Sequence, residues 1–459
     1  MNRKQYLIFI SLISTLGGFL FGYDTAVISG TVTFVREQFS LSPMNEGWFV
    51  GSALLGCMIG VAFTGVTADL YGRKKTLILS SLLLIVSAVG CTVAETMTAL
   101  IIFRLTGGLG VGIASMMSPL YISEISPPAN RGKMVSLYQF AITIGILTAY
   151  FANASLLGIS NSTVFDSDSF FGFIINREVW RSMFGSETIP AVVFFALLLL
   201  VPESPRWLMA KSRNKDALEV LRTLYENDIA EKEIGEIRGA LSKERSKISI
   251  ITRPGIRYAL IIGIILALLS QFTGINAIIY YGPKIFETAG LSQSHSLNGQ
   301  VVIGIVNVLF TIVAIWKIDD LGRRKLLITG CTGMMITHII IGLLFKTGVN
   351  NPLLYLIFMM IFIAFFAFSY GPVIWTLLSE IYPTSIRGRA MSVATLAIWL
   401  GTYLIGQLVP WLFEAIKAEG TFWLFAVMCI PAIMIVWKLV PETKGRTLEE
   451  IEQYWLNIK

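Results

Sequence analysis

Charged residues are scarce in this sequence, at 14% of 459 residues, against roughly 25% in an ordinary soluble domain. Hydrophobic residues make up 54% of the chain, and the mean hydropathy is +0.70. This composition excludes a soluble globular protein and indicates an integral protein of the lipid bilayer. The net charge of +7 comes from basic residues between apolar runs, a distribution that indicates membrane orientation and not nucleic-acid binding.

Residues that bind metals or act as nucleophiles are also few. The sequence has two histidines and four cysteines, and the cysteines are scattered through apolar segments at Cys57, Cys91, Cys331 and Cys429. No two cysteines have the spacing of a metal site or a disulfide framework. No segment has the pattern of a nucleotide-binding loop. We therefore expect no metal, no cofactor and no enzymatic activity.

Apolar segments of about bilayer length recur along the whole chain. A helix needs about 20 such residues to cross the hydrocarbon layer. The sequence therefore predicts an all-α membrane protein with twelve transmembrane helices, near residues 6–28, 47–68, 77–94, 98–122, 134–157, 185–201, 257–280, 298–318, 326–345, 352–379, 390–413 and 421–440.

Basic residues are concentrated in the loops that follow even-numbered spans. Cytoplasmic loops of membrane proteins carry an excess of Lys and Arg. We therefore expect these loops and both chain termini to lie in the cytoplasm. The residues concerned are Arg73, Lys74, Lys75, Arg131, Lys133, Arg323, Arg324, Lys325, Arg387 and Arg389.

Three charged motifs occur twice, in the same order. SEISPPANRG (123–132) recurs as SEIYPTSIRG (379–388), DLYGRKK (69–75) as DDLGRRK (319–325), and PESPR (202–206) more weakly as PETKG (441–445). This pattern predicts a duplicated unit of six spans, which is typical of a transporter. The predicted domains are an amino-terminal half at 1–201, cytoplasmic linker helices at 202–256 and a carboxy-terminal half at 257–459.

These motifs resemble those of the sugar porter family of the major facilitator superfamily over nearly the whole chain. The resemblance lies in the two DxxGR loops and in RGK, PESPRWL, QFTGIN, GPVIW and PETKG. Within the family, GVGIASMMSPLYISEISP and SETIPA are similar to bacterial xylose–proton symporters and related monosaccharide carriers. The resemblance implies two pseudo-symmetric halves, monosaccharide transport by alternating access, a bacterial cytoplasmic membrane and no required oligomer.

Asp24 is a carboxylate inside the first predicted span. An ionised acid at mid-membrane costs about 3 kcal/mol on insertion scales, so we expect it to face the protein interior. Phe21 shares its helix face. The expected partner is Arg104 in the fourth span, which shares a face with Gly108 and Gly112.

The pair of Asp24 and Arg104 has two interpretations. It could be a static salt bridge, or it could couple protons, because Arg stays charged and only Asp24 can take up and release a proton. The resemblance favours proton coupling, since proton symporters of the family carry Asp at this point of the FGYD motif.

Amides and aromatic rings in apolar spans suit a sugar, which offers hydroxyls and apolar C–H faces. Each amide could instead bond to a neighbouring helix, because a buried amide needs a partner. The resemblance implies a sugar site that consists of Phe21, Gln139, Ser270, Gln271, Asn276, Asn307, Gly371, Trp375 and Trp399. Ser270 stands where the family often has a glutamine, and Ile398 stands where the xylose symporter has one; these differences leave the sugar's identity open.

Two spans carry residues that interrupt a helix. Gly274 is predicted to break the seventh span and YYGP (280–283) to end its regular part, while Gly371 and Pro372 are predicted to kink the tenth. Broken spans of transporters flank the binding site. We therefore expect Gly274, Pro372, Tyr280 and Tyr281 to act in gating, with the two tyrosines on the outer side.

The repeated charged motifs predict a cytoplasmic latch of ion pairs between the two halves. Exposed pairs are individually weak, so only a network could set the balance between conformations. The residues concerned are Asp69, Arg73, Glu124, Arg131, Glu203, Arg206, Asp319, Arg323, Glu380, Arg387 and Glu442.

Three functions remain open from the sequence. The first is a proton-coupled monosaccharide symporter. The second is a facilitative uniporter in which Asp24 and Arg104 are structural, and the third is a membrane sugar sensor that does not transport. The resemblance favours the first.

Overall fold

The computed structural model describes residues 3–126, 131–166, 168–243, 254–383, 386–446 and 448–457. Every regular element in these ranges is a helix, which confirms the predicted all-α class. Twelve helical segments are long and apolar enough to cross a membrane, which is the predicted number.

Seven α-helices form the first six spans. They are α1 (Arg3–Phe39), α2 (Pro43–Tyr71), α3 (Arg73–Val93), α4 (Met97–Ile125), α5 (Arg131–Ser162), α6 (Val179–Ser186) and α7 (Thr188–Leu198), with a π-helical turn at Gly172–Arg177 before α6. The first helix extends further than the predicted 6–28. Its polar last turns are held by Arg36, which pairs with Glu46, and by Gln38, which accepts a hydrogen bond from Trp180.

The predicted linker contains three short helices, and nine further helices follow it. The linker helices are α8 (Pro205–Ala210), α9 (Asn214–Leu224) and α10 (Asn227–Lys243). The others are α11 (Pro254–Phe272), α12 (Ile275–Thr288), α13 (Gln293–Leu321), α14 (Arg323–Thr347), α15 (Pro352–Phe368), α16 (Tyr370–Ile381), α17 (Arg387–Ala415), α18 (Lys417–Leu439) and α19 (Leu448–Leu456).

The seventh span is divided into α11 and α12, but the prediction that YYGP ends its regular part is wrong. The helix continues through Pro283 to Thr288. Proline lacks the N–H that would bond to the carbonyl of Ile279. That carbonyl instead accepts hydrogen bonds from the Tyr150 hydroxyl at 3.2 Å and from Gln300 Nε2 at 3.4 Å, so the helix passes the proline without an unpaired carbonyl.

The tenth span is also divided, and the break lies at Ser369, before the predicted Gly371 and Pro372. Ser369 has φ −124° and ψ −87° and separates α15 from α16. Pro372 falls in the first turn of α16, where its missing N–H would have no helical partner in any case. Proline therefore marks the start of the second segment and does not kink its interior.

Packing divides the chain into two compact units. Unit 1 is Met1–Asp24, Gly56–Gly145 and Gly185–Lys247; unit 2 is Thr25–Leu55, Ile146–Phe184 and Ile248–Lys459. Unit 1 is built around α3 against α4 and α7; in unit 2, α14 packs on α15 and α18, and α11 packs on α17. The ends of α1, α2 and α5 opposite the charged motifs thus pack with helices of the second sequence half. The predicted division at residues 201 and 257 follows the repeat and stays a prediction.

Candidate functional site

Asp24 on α1 and Arg104 on α4 form a buried ion pair within unit 1. Nη1 of Arg104 lies 3.0 Å from Oδ1 of Asp24. Asp24 is 3% exposed and Arg104 is 2% exposed, so neither charge is stabilised by bulk water. The two side chains contact each other as expected from their sequence, and their role in proton coupling stays a prediction.

Glycines bring the helices around this pair close together. A Cβ added at Gly56 would lie 3.0 Å from the Cα of Gly108, and one at Gly60 would lie 3.2 Å from the Cα of Gly112. Helix α2 therefore packs directly on the face of α4 that Gly108 and Gly112 form. Such backbone contact excludes lipid from the face of α4 on which Arg104 lies.

Glu187 is a second buried carboxylate near the pair, and the sequence-based prediction missed it. It is 2% exposed, lies between α6 and α7, and interacts electrostatically with Asp24 and Arg104. The Tyr23 hydroxyl, one residue before Asp24, lies 2.7 Å from Oγ of Ser186, one residue before Glu187. The available signal was an acid inside the sixth predicted span, which is the signal that singled out Asp24.

A hydrogen-bonded cluster of polar side chains joins α11, α12 and α17 in unit 2. Oε1 of Gln271 accepts hydrogen bonds from Nδ2 of Asn276 at 2.7 Å and from Oγ1 of Thr402 at 3.1 Å. Nε2 of Gln271 donates to Oγ of Ser270 at 2.9 Å. The cluster spans the break in the seventh span, and Gln271, Asn276 and Thr402 are each less than a tenth exposed.

Thr402 is the member of this cluster that the sequence-based prediction missed. Its hydroxyl also lies 2.9 Å from the carbonyl of Ile398, so its single hydrogen can point either to Ile398 or to Gln271. The sequence feature that could have identified Thr402 is its spacing from Trp399, because a residue three positions later lies on the same side of a helix. Thr402 provides a hydroxyl one helical turn after Ile398.

The remaining predicted sugar residues are distributed over both units. Asn307 on α13 is 8% exposed and Trp399 on α17 is 3% exposed. The others are half-buried: Gly371 and Trp375 on α16 in unit 2, and Phe21 on α1 and Gln139 on α5 in unit 1. Their contribution to one sugar site stays a prediction.

Gly274 separates the two helices of the seventh span, as predicted. Its φ of 84° lies in the left-handed region that favours glycine. The following helix carries Tyr280 and Tyr281, which are each 1% exposed. The Tyr281 hydroxyl donates to the carbonyl of Gly406 at 2.6 Å and so holds α12 against α17. The gating role of these residues stays a prediction.

The charged motifs of unit 1 form a network at the start of α3. Nε and Nη2 of Arg73 each lie 2.9 Å from a carboxylate oxygen of Glu124, and Nη1 lies 3.5 Å from Oδ1 of Asp69. Oε1 of Glu203 accepts hydrogen bonds from the backbone N–H groups of Arg73 at 2.8 Å and Lys74 at 3.2 Å. Glu203 therefore caps α3, where the helix dipole favours an anion.

The charged motifs of unit 2 repeat this arrangement at the start of α14. Nη2 of Arg323 lies 2.8 Å from Oε1 of Glu380. Glu442 accepts hydrogen bonds from the backbone N–H groups of Arg323 at 3.0 Å and Arg324 at 3.2 Å. The weak sequence match between PESPR and PETKG therefore corresponds to one structural role, the capping of a helix by glutamate.

The predicted latch residues thus contact partners inside their own unit in each ion pair given above. Arg206 and Arg387 are half-buried. The side chains of Arg131 and Asp319 lie outside the described part of the structure. A latch between the two sequence halves stays a prediction.

The chain is similar to known sugar transporters over nearly its whole length. It is 39% identical over 456 residues to the arabinose-proton symporter of Bacillus subtilis, covering 99% of this chain and 96% of that protein. It is 38% identical over 485 residues to the D-xylose-proton symporter of Escherichia coli K12, with the same coverage of 99% and 96%. The xylose transporter XylE from E. coli, solved in a partially occluded inward open conformation, matches with a TM-score of 0.84 and 36% identity, covering 96% of this chain and 100% of that chain.

The structural match confirms the major facilitator fold. Residues 10–455 match the family described as Sugar (and other) transporter. This protein is therefore a membrane transporter, not an enzyme, and it belongs to the Sugar (and other) transporter family.

Proposed function

We propose that this protein is a proton-coupled monosaccharide symporter that works by alternating access in a bacterial cytoplasmic membrane. The observation that carries this proposal is the buried group of Asp24, Arg104 and Glu187 in unit 1. The relatives of this protein include proteins named as arabinose-proton and D-xylose-proton symporters, at 39% and 38% identity, and these names support the proposal.

The charges of this group leave room for one proton. Asp24 and Glu187 supply two carboxylates, and Arg104 supplies one guanidinium that stays protonated. A buried charge without compensation is costly, so a bound proton on one acid would neutralise the excess. We infer that the proton binds to Asp24, which weakens its bond to Arg104.

Loss of that bond changes which helices are joined. With Asp24 ionised, Arg104 ties α4 to α1. With Asp24 protonated, Glu187 becomes the remaining anion for Arg104, and α4 is tied to the sixth span instead. One proton would thus shift the packing of three helices, which is the kind of two-state element that coupling needs.

The amide cluster supplies chemistry suited to a monosaccharide. Gln271 and Asn276 can each donate and accept, and Thr402 can do both through one hydroxyl. Their bonds to each other, at 2.7 and 3.1 Å, can be exchanged for bonds to sugar hydroxyls at little net cost. Trp399 and Trp375 offer aromatic surface for the C–H faces of a sugar. We propose a pentose or hexose as the substrate class.

The remaining features follow from this proposal. The basic loops and both termini face the cytoplasm, the proton is the coupling ion, and no organic or metal cofactor is needed. One chain carries every proposed residue, so transport does not require an oligomer. The ends of the helices opposite the charged motifs are outer ends in this orientation.

Uptake of labelled sugars into right-side-out vesicles tests the proposal. Arabinose, xylose, glucose and galactose are compared with and without an imposed pH gradient, acid outside. A proton moving through about 100 mV supplies about 2.3 kcal/mol, which sustains about fiftyfold accumulation. We expect accumulation of at least one sugar, and its collapse when a protonophore is added.

The substitution Asp24→Asn separates coupling from transport. We expect this variant to exchange sugar across the membrane but no longer to accumulate it. Asp228→Asn, at an exposed position on α10, is the matched control and should behave as the unsubstituted protein. Accumulation by Asp24→Asn would refute coupling through this residue. Exchange without gradient-driven accumulation in the unsubstituted protein would show a uniporter, and binding without uptake would show a sensor.

A further inference from the structure

A second group of buried charge lies at the outer ends of the helices, away from the proposed proton site. The carboxylate of Glu46, in the first turn of α2, is fully buried, at 0% exposed. Nζ of Lys284 lies 2.5 and 2.8 Å from its two oxygens, and Nε of Arg36 lies 3.5 Å from Oε2. We name these three residues the outer triad; all of them belong to unit 2.

The outer triad joins the two halves of the sequence repeat. Arg36 and Glu46 come from the end of α1 and the start of α2, in the first half, whereas Lys284 lies on α12, in the second half. Other bonds beside the triad also join the two halves. The Thr33 hydroxyl lies 3.4 Å from Oε2 of Glu287, and Nε2 of Gln407 donates to the carbonyl of Met44 at 3.0 Å.

The three side chains of the outer triad differ in their exposure to water. This difference decides which ion pair is costly to break. The side chain of Arg36 is 48% exposed and that of Lys284 is 20% exposed, whereas that of Glu46 is not exposed at all. Removing a partner from a fully buried charge is costly because nothing replaces it. The carboxylate of Glu46 therefore depends most on Lys284, its nearer and less exposed partner, and the cost of losing Lys284 falls when water can reach Glu46.

Lys284 is carried by a segment that is separate from the rest of its span. The break at Gly274 divides α12 from α11, and the ends of such segments are places where a hinge can absorb a change of tilt. Any tilt that moves α12 away from α2 must first separate Lys284 from Glu46. That separation also opens a path by which water reaches the carboxylate, which lowers the cost of the broken pair.

We propose that the outer triad is a reversible ion lock on the outer gate, which closes when Lys284 binds Glu46 and sets the fraction of carriers open to the outside. The inference rests on the proposed function, because a gate has meaning only in a carrier. It assigns Glu46 and Lys284 as positioning residues of the transport cycle, distinct from the sugar and proton sites.

Labelling of a buried cysteine from the outside measures the open fraction directly. Val50, one helical turn after Glu46 on α2, is 1% exposed and carries the reporter in the variant Val50→Cys. A membrane-impermeant maleimide is applied to right-side-out vesicles. The native cysteines are at most 1% exposed, so the chain without the reporter supplies the blank, and Cys57 on the same helix reports any general loosening.

Three variants test whether Glu46 and Lys284 act as one unit. We expect Glu46→Gln and Lys284→Met each to raise the labelling rate of the reporter about tenfold. A change of this size corresponds to the interaction energies found between residues in contact. The double variant should label no faster than the faster single variant, because the second substitution has no pair left to break. Lys284→Arg, which keeps the cation, should restore slow labelling.

Matched controls remove the same charges at exposed outer positions. Glu95→Gln and Lys346→Met should leave the labelling rate unchanged, since both side chains are exposed to solvent. Should the buried substitutions prevent folding, Arg36→Gln remains, because this side chain is half-exposed; it should give a smaller increase in the same direction.

The proposal would be overturned by unchanged labelling in both single variants, or by a double variant whose rate is the product of the two single effects. A simultaneous rise in labelling of Cys57 would show general unfolding and would also count against a lock. Labelling needs no sugar and no pH gradient. If the Glu46 and Lys284 variants label faster but the protein accumulates no sugar, the symport proposal alone is refuted. If the protein accumulates sugar but the labelling rate does not change in these variants, the lock alone is refuted.

Discussion

The carboxylate of Glu203 lies in the space that a side chain at Gly72 would need. An added Cβ at that glycine would collide with the Glu203 carboxylate, and φ at Gly72 is 96°, in the left-handed region. Unit 2 has the same relationship between Glu442 and Gly322, where a Cβ would lie 2.8 Å from the carboxylate. Each glycine is therefore required by the glutamate that caps the next helix.

Substitution of Gly72 by alanine should weaken the protein. We expect Gly72→Ala to lower the free energy of unfolding by roughly 1–3 kcal/mol, because a side chain at this φ is strained and displaces the cap. The Tm in detergent measures the change. Gly65→Ala is the matched control, since Gly65 is helical and has open space around it. Equal Tm values for the two variants would contradict the capping argument.

Removal of Arg104 should destabilise unit 1 more than removal of any exposed arginine. Arg104→Gln leaves the buried acids Asp24 and Glu187 without their cation, and breaking a buried pair typically costs about 3–5 kcal/mol. We expect the double variant with Asp24→Asn to recover part of this loss. Thermal unfolding in detergent measures both, with the exposed Arg238→Gln as control. A double variant that is less stable than Arg104→Gln would show that the two residues do not act as a pair.

Replacement of Glu187 should weaken coupling while sugar exchange continues. In Glu187→Gln the excess negative charge near Arg104 is gone, so residue 187 can no longer serve as an anion for Arg104 when Asp24 is protonated. We expect gradient-driven accumulation to fall about tenfold or more, which corresponds to roughly 1.4 kcal/mol of lost coupling. Vesicle uptake measures accumulation, and counterflow measures exchange. The exposed Glu95→Gln provides the reference, and accumulation at its level would exclude Glu187 from coupling.

Removal of the Thr402 hydroxyl should lower the affinity for sugar. Thr402→Val keeps the shape of the side chain but removes the donor 3.1 Å from Oε1 of Gln271. One hydrogen bond is worth about 1 kcal/mol, so we expect KM to rise roughly fivefold with little change in the maximal rate. The control is Thr421→Val, a buried threonine whose hydroxyl donates to the backbone of its own helix. An unchanged KM would place Thr402 outside the sugar site.

The spans, the duplication and the pairing of Asp24 with Arg104 could be predicted because each depends on a local or strongly restrictive property. An apolar run of bilayer length can do little other than cross the membrane as a helix. An acid and a base in apolar spans of the same half have few possible partners, which makes their pairing a restrictive prediction. Glu187 carried the same signal and could have been included by the same reasoning.

Other features depended on contacts that leave no pattern in the sequence. Helix α12 continues past Pro283 because the side chains of Tyr150 and Gln300 donate hydrogen bonds to the carbonyl of Ile279, which the proline cannot bond. The break in the tenth span fell at Ser369, because proline is well tolerated in a first turn and only the packed structure shows where that turn begins.

The sequence by itself determined that this chain crosses the membrane twelve times in two related halves and carries buried ions and amides, because hydropathy and repeated spacing are properties of short segments. Only the tertiary structure decided that Glu46 is held by Lys284, that Thr402 joins Gln271, and that Glu203 caps α3. The physical reason is distance along the chain. A hydrogen bond or ion pair acts over about 3 Å in space, and no local pattern shows which of many remote residues folding will bring within that reach.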